Sequence, residues 1–338
     1  MGWREKGIAR SCRRAGRVRI LGPGWPKGVR MPQPNTAASL NIAVLGAGRM
    51  GQGIAYVAAA ANHFVSIYDP FEEALARVPD QIAAIAELLG DDGSAARRLK
   101  TYAELAPAVR NADLVIEAVP EKIALKQEIF AQLEQHAPAT AILASNTSAI
   151  PIAEVAAKVR DRKRVIGAHF WNPPHLVKLV EVVQSDPEST PYVLRAIEIL
   201  RGLGWVPVHV KRDIPGFVGN RMQHALKREA IALVAAGVCD AETVDTVVKI
   251  GFGSRLGVIG PLEQSDMVGL DLTKSIHDVL LKDLDRTPHT QAYLAKLVEE
   301  GNLGMKTGRG FRQWTPETAR AVRDRLDQFL VQQARNRK

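Results

Sequence analysis

Asn41-Ile-Ala-Val-Leu-Gly-Ala-Gly-Arg-Met-Gly-Gln-Gly-Ile-Ala55 decides the fold. A short aliphatic run, read as a buried strand, enters Gly46-x-Gly48-x-x-Gly51 without a break, and a helical pattern follows over 51–61. The glycine triplet alone is weak evidence; the strand before it and the helix after it supply the context. Gly46 permits a tight turn, Gly48 lets backbone approach a pyrophosphate, and Gly51 lets helix and strand pack closely. Arg49 and Met50 lie inside the same turn and count with the glycines as cofactor-side positions. Unpaired amides and the dipole at the helix start favour phosphate. Phe64-Val-Ser-Ile-Tyr68 reads as the second strand and Asp69 stands at its end, 23 residues after Gly46. A carboxylate there accepts hydrogen bonds from the adenosine ribose and repels a 2′-phosphate, which favours NAD over NADP. The competing reading is a structural turn with Asp69 as a helix cap.

Working outward, further strands are expected at 114–117, 141–144, 164–168, 176–183 and 205–210, with helices at 72–89, 125–135, 152–159 and 190–203 between them. Such alternation implies right-handed crossovers and a parallel, doubly wound sheet. From Pro215 the pattern turns helical, continuing through Gly237 and then at 242–250, 266–282, 289–300 and 316–335. The expected fold class is therefore α/β, a Rossmann-type doubly wound sheet followed by an all-α C-terminal domain. The expected divisions are a disordered basic extension at 1–39, an NAD-binding domain at 40–212 and a helical substrate and dimerisation domain at 213–338.

The chain has 338 residues, of which 46% are hydrophobic and 24% charged, a globular composition with room for two cores. No apolar run approaches the roughly 20 residues needed to span a bilayer, so no membrane role is expected. The net charge of +9 would suggest nucleic acid, but residues 1–30 hold nine basic side chains and one acid, leaving 36 basic and 35 acidic residues for the remainder. No nucleic-acid partner is expected. Gly22, Pro23, Gly24 and Pro26 also argue against a transit helix in that segment. Cys12 and Cys239 are too few for a disulfide framework or a cysteine zinc site, consistent with a cytoplasmic setting. No His/Asp/Glu set has metal-ligand spacing, so no metal is expected.

Val165-Ile-Gly-Ala-His169 is a strand ending in histidine, followed by Trp171-Asn-Pro-Pro174, which must turn. Alternation along the next strand places Glu181 with Val177, Leu179 and Val183 on one face. A carboxylate among aliphatic neighbours needs a partner, and His169 is the available one. Such a pair is either a general base or a buried structural ion pair, and spacing leaves both open.

Seven ordered stretches carry a resemblance. They are Gly46–Ala55, Ile116-Glu-Ala-Val-Pro-Glu121, Ser145-Asn-Thr-Ser148, Gly167-Ala-His-Phe-Trp-Asn-Pro-Pro174, Val177-Lys-Leu-Val-Glu-Val-Val183, Asp213-Ile-Pro-Gly-Phe-Val-Gly-Asn-Arg221 and Gly304-Met-Lys-Thr-Gly-Arg-Gly-Phe311. Together they resemble the successive motifs of the 3-hydroxyacyl-CoA dehydrogenase family, an oxidoreductase family of fatty acid metabolism. The resemblance implies NAD, a small-molecule or acyl-CoA substrate and a homodimer. It gives His169 and Glu181 the roles of catalytic base and partner, and places Asn220 and Ser148 as neutral donors at the reacting oxygen. It also places Glu121 and Lys126 near the ribose of the nicotinamide half of the cofactor, with Asn146 in the same cofactor-facing loop, and counts Val119 among the cofactor-binding residues. Without it, Asn220 reads as a capping or solvated residue and Ser148 as a helix N-cap. Loss of the histidine is expected to cost more activity than Glu181→Gln. His175, outside that dyad, is expected at substrate or solvent.

Two departures concern the substrate. The resemblance implies a long Lys- and Ser-rich helical hairpin for coenzyme A, whereas only 47 residues separate Asp69 from Glu117 here. They read as one helix and a basic segment, Arg97-Arg-Leu-Lys100, either a CoA phosphate contact or a solvated turn. Gly251-Phe-Gly-Ser-Arg-Leu-Gly-Val-Ile-Gly-Pro261 is similar instead to relatives that oxidise L-gulonate, carnitine or pyridine alcohols and aldehydes, with Arg255 either a substrate-carboxylate partner or an unpartnered surface arginine. A non-enzymatic descendant of the fold would have lost His169, Glu181 or Asn220, and all three are present.

Overall fold

A computed structural model describes residues 39–336. The basic extension and Cys12 lie outside the described residues. The NAD-binding half runs β1 (Asn41–Leu45), α1 (Arg49–Ala60), β2 (Phe64–Tyr68), α2 (Glu72–Ala76), α3 (Val78–Leu89), β3 (Leu99–Tyr102), α4 (Leu105–Val109), β4 (Leu114–Glu117), α5 (Ile123–His136), β5 (Ile142–Ser145), α6 (Ile152–Val155), β6 (Val165–Phe170), β7 (Leu179–Val183), α7 (Thr190–Gly202) and β8 (Val206–Val210). The helical half runs α8 (Gly219–Ala235), α9 (Ala241–Ile250), α10 (Pro261–Val268), α11 (Leu270–Leu280), α12 (Ala292–Glu299) and α13 (Pro316–Asn336). Among the described residues no helix is long and apolar enough to cross a membrane.

The eight strands form one sheet in the order β3-β2-β1-β4-β5-β6-β7-β8. Side chains alternate across it: Ile42 and Val44 enter the core under α1 and α3, while Ala43 and Leu45 enter the core under α4 and α5. Both faces being covered, the central strands are continuous apolar runs. On α5, Ile129, Phe130 and Leu133 share one face and are buried, each contributing about 1.5–3 kcal/mol. The helix α13 returns to touch α3, with Ala319 and Ala334 buried.

Four sequence expectations are corrected. The sheet is not wholly parallel: β6 pairs antiparallel with β7, because 171–178 is shorter than the dozen or so residues a parallel crossover needs. The stretch 72–89 is two helices, since Pro79 at the start of α3 has no amide to donate and crowds the preceding turn. The stretch 266–282 also breaks, at Gly269, whose φ of +102° is left-handed. Finally, Leu99–Tyr102 is an edge strand rather than part of a basic turn, its exposed Lys100 and Thr101 being typical of a protected edge.

The helical half differs in kind from the sheet half. No side chain in α8 through α12 is fully buried, and large apolar groups including Val247, Ile250, Leu262, Met267, Leu270 and Val279 stand exposed.

Candidate active site

Strand β1 lies between β2 and β4, so the connections leave it in opposite directions and open a crevice at its carboxyl end, where α/β sheets bind nucleotides. The glycine turn fills that position. Gly46 has φ +102° and its Cβ would meet the Ala118 carbonyl oxygen at 2.7 Å, while a Cβ on Gly51 would stand 1.8 Å from the Gly46 carbonyl oxygen. A Cβ at Gly48 would meet no protein atom within 4 Å, which leaves the loop open on the dinucleotide side. Arg49 and Met50 begin α1; Arg49 is exposed and Met50 leans on the core. Asp69 is fastened to the same loop: Oδ2 accepts from the Ala47 amide at 2.9 Å and Oδ1 from the Phe71 amide at 3.0 Å. These groups fit NAD. Asp69→Ala is expected to narrow the preference for NAD over NADP by about tenfold in kcat/KM, ~1.4 kcal/mol. Steady-state kinetics with each cofactor check this, and a wild type that uses both equally would refute the role of Asp69.

Beside the crevice lies a buried charge network. Glu117, at the end of β4, is 0% exposed and accepts from Lys126 Nζ at 2.7 Å, Ser145 Oγ at 2.6 Å and the Val119 amide at 2.9 Å. Lys126, 1% exposed, also reaches Glu121 Oε2 at 3.1 Å and the Val119 carbonyl at 3.5 Å. Its ammonium is thereby enclosed by Glu117, Glu121 and the Val119 carbonyl. Burial would push the Glu121 carboxyl up, but the Thr147 hydroxyl, the Lys126 charge and the Ser148 amide outweigh it and hold the group below its ordinary value. Asn146 uses Oδ1 to accept from the Phe170 amide at 2.8 Å, tying the β5 loop to β6. Glu117 and Thr147 received no role from the sequence, although Glu117 closes an aliphatic strand just as Glu181 interrupts one.

His169 faces Glu181 across the antiparallel β6–β7 pair. Nδ1 lies 2.8 Å from Glu181 Oε2, and the two residues are 4% and 1% exposed. The other carboxylate oxygen, Oε1, accepts from the Val218 and Gly219 amides at 2.9 and 3.0 Å, at the very start of α8. Burial alone would raise the Glu181 carboxyl, but these hydrogen bonds prevail and hold it below its ordinary value. A carboxylate accepts only, so Nδ1 donates, and in the neutral ring Nε2 then carries the lone pair. The imidazole sits between the rings of Trp171 and Phe217, each centroid 5.7 Å away. Phe217 is fully buried at a left-handed φ of +49°.

Asn220 follows within the first turn of α8, and its Nδ2 donates to the Ser148 carbonyl at 2.8 Å, not to His169. Ser148 is exposed and does not cap α6, whose N-cap is Pro151 without a side-chain bond. Both residues line a cleft of about 710 Å³ with Arg221, His224 and Arg228 of α8. Arg255, the arginine proposed from sequence, lies in a turn after α9 and is not part of that lining. His175 is half-buried and packs under α1 beside Gly53, with its Nδ1 buried and without a hydrogen-bond partner among the described residues. Burial, aided by the Arg49 charge and opposed by Asp327, pushes its pKa down.

Comparison with known proteins extends these observations. Residues 41–214 match the model of the 3-hydroxyacyl-CoA dehydrogenase NAD binding domain, and 216–314 that of the family's C-terminal domain. A 5-formyl-3-hydroxy-2-methylpyridine 4-carboxylate 5-dehydrogenase from Mesorhizobium japonicum is 35% identical over 86% of this chain and 96% of its own. A probable 3-hydroxybutyryl-CoA dehydrogenase from Bacillus subtilis is 39% identical over 82% of this chain and 98% of its own. Among solved structures, an NAD-dependent dehydrogenase of that pyridine type superposes with a TM-score of 0.81 at 34% identity, covering 89% of this chain and 99% of its own.

Proposed function

The chain belongs to the 3-hydroxyacyl-CoA dehydrogenase family and is an NAD-dependent oxidoreductase, and from that premise we propose that it oxidises a 3-hydroxyacyl-CoA, or a similar 3-hydroxy compound, to the 3-keto product. The observation that carries this reading is the 2.8 Å contact between His169 Nδ1 and Glu181 Oε2, with Oε1 taken by two backbone amides. Glu181 fixes the tautomer, so His169 Nε2 removes the hydroxyl proton, and the resulting imidazolium is stabilised by the buried carboxylate. Asn220 and Ser148 act as neutral donors to the substrate oxygen as it gains negative charge. Gly46, Gly48, Gly51 and Asp69 would hold NAD, with Arg49, Met50, Val119, Glu121 and Asn146 beside it and Lys126 fixing Glu121. NAD bound there would supply the hydride acceptor for the carbon that carries the hydroxyl.

A second reading, a small hydroxy acid or a pyridine alcohol or aldehyde in place of the thioester, is supported by the short helices between β2 and β4 and by the basic lining of the cleft. A panel of 3-hydroxybutyryl-CoA, L-gulonate, L-carnitine and a pyridine alcohol, followed by NADH absorbance, tests both. NADH from none of them would sink the dehydrogenase assignment.

We assign 213–338 to substrate binding and dimerisation, in a cytoplasmic protein with only two cysteines. Large apolar groups of α8 through α12 stand exposed, and a second copy of this chain is the proposed cover. Light scattering at micromolar concentration is expected to give twice the chain mass of 36.8 kDa. A monomer at that concentration would count against the assignment.

A further inference from the structure

Resting on the dehydrogenase reading, we propose that Arg221, His224 and Arg228 form a substrate-anion site, and that the substrate is a small compound bearing its own carboxylate rather than a coenzyme A thioester. The three residues recur at helical spacing on α8, so they share one face with Asn220 at its head. That face closes one side of the cleft whose other wall holds Ser148, and no acidic side chain lines it. The two guanidinium groups are not consumed elsewhere among the described residues. Arg221 reaches only the Pro215 carbonyl, at 3.5 Å, and Arg228 enters no ion pair, unlike Arg312, which is shared by Glu242 and Asp245. Asp285 feels the Arg228 charge, but its carboxylate is taken by Thr287 and Gln291.

The helix also sets a length. At about 1.5 Å of rise per residue, His224 lies about 6 Å and Arg228 about 12 Å along the axis from Asn220. A substrate whose reacting oxygen is held at Asn220 and Ser148 therefore places a carboxylate at these cations if it is no longer than one ring or a short chain. The part of an acyl-CoA within that distance is the thioester and the uncharged pantetheine amides, which offer two guanidinium groups no counter-charge. A carboxylate does, and arginine can take it with two parallel hydrogen bonds.

The test uses probes of equal shape. Pyridine-4-carboxylate and pyridine-4-carboxamide are titrated calorimetrically into the full-length protein saturated with NADH, in wild type, Arg228→Gln and Arg221→Gln, with melting curves to confirm that each variant is folded. The carboxylate is expected to bind and the amide not, and each substitution to weaken the carboxylate by about tenfold or more, the scale of one charge-assisted hydrogen bond. Equal binding of acid and amide, no binding of the acid, or indifference to both substitutions would overturn the proposal. In parallel, NADH oxidation is followed with 3-oxoglutarate, its dimethyl ester and acetoacetyl-CoA. Higher kcat/KM for the free diacid than for ester and thioester is expected; preference for the thioester removes the carboxylate class while leaving the dehydrogenase intact. Calorimetric binding of the acid with no turnover of any probe would instead indict the dehydrogenase reading.

Discussion

Glu181→Gln is expected to lower kcat by roughly 10²–10⁴-fold, as much as His169→Ala, although the two side chains have the same shape. The reason is the pair of amides on the far oxygen. Val218 and Gly219 both donate to Oε1, so a glutamine must turn its own oxygen toward them and its NH₂ toward His169. That NH₂ donates to Nδ1, the ring proton moves to Nε2, and the lone pair that would remove the hydroxyl proton is gone. From sequence the glutamine looked the milder change, because the two amides that dictate its orientation were not visible. Single-turnover rates of both variants on the identified substrate, with NADH affinity as a control, decide it; a glutamine variant within a few-fold of wild type would remove Glu181 from its positioning role. The same residue predicts an acid effect. Its carboxyl is held below the ordinary 4.5, so its stabilising contribution is complete above that value and is lost as pH falls through the lower folded pKa. The glutamine variant, with nothing to protonate there, is expected to show a shallower loss of melting temperature in acid.

Gly51→Ala is the second large effect. The added methyl would lie 1.8 Å from the Gly46 carbonyl oxygen and 3.3 Å from Val44 Cγ1, so α1 must back away from the turn that receives the pyrophosphate. Overpacking of this kind costs about 1–3 kcal/mol, which corresponds to roughly tenfold to hundredfold in NAD affinity if the loss falls on the site. Fluorescence titration with NADH measures it. Gly48→Ala makes the contrast, because its methyl meets no protein atom within 4 Å and can disturb only what binds there. An alanine at 51 that binds NADH normally would mean that helix and strand do not need this close approach.

What was legible in the sequence was local. The glycine turn announced itself because strand, turn and helix are contiguous, and the His169–Glu181 pair because alternation along β7 put a carboxylate among aliphatic side chains. The breaks at Pro79 and Gly269 were also written locally but were masked by strong apolar periodicity on either side. The antiparallel turn of β7 followed from the length of 171–178, a signal present and not used. Other features were beyond reach because they join distant segments. The enclosure of Lys126 between Glu117 and Glu121 depends on the pairing of β4 with β5 and the docking of α5. The basic face of α8 shares a cleft with Ser148, to whose loop Asn220 is bonded across 72 residues of sequence.

The amides of Val218 and Gly219 also mark a splice point. They bind Glu181 from the helical half, so a chimera that exchanges the C-terminal half before Asn220 cuts through the proposed base. An exchange after Asn220 leaves the base and its donors with the recipient and imports only the side chains that follow along α8 and beyond. On the proposed mechanism, the join between a fixed reaction head and an interchangeable selector lies between residues 220 and 221.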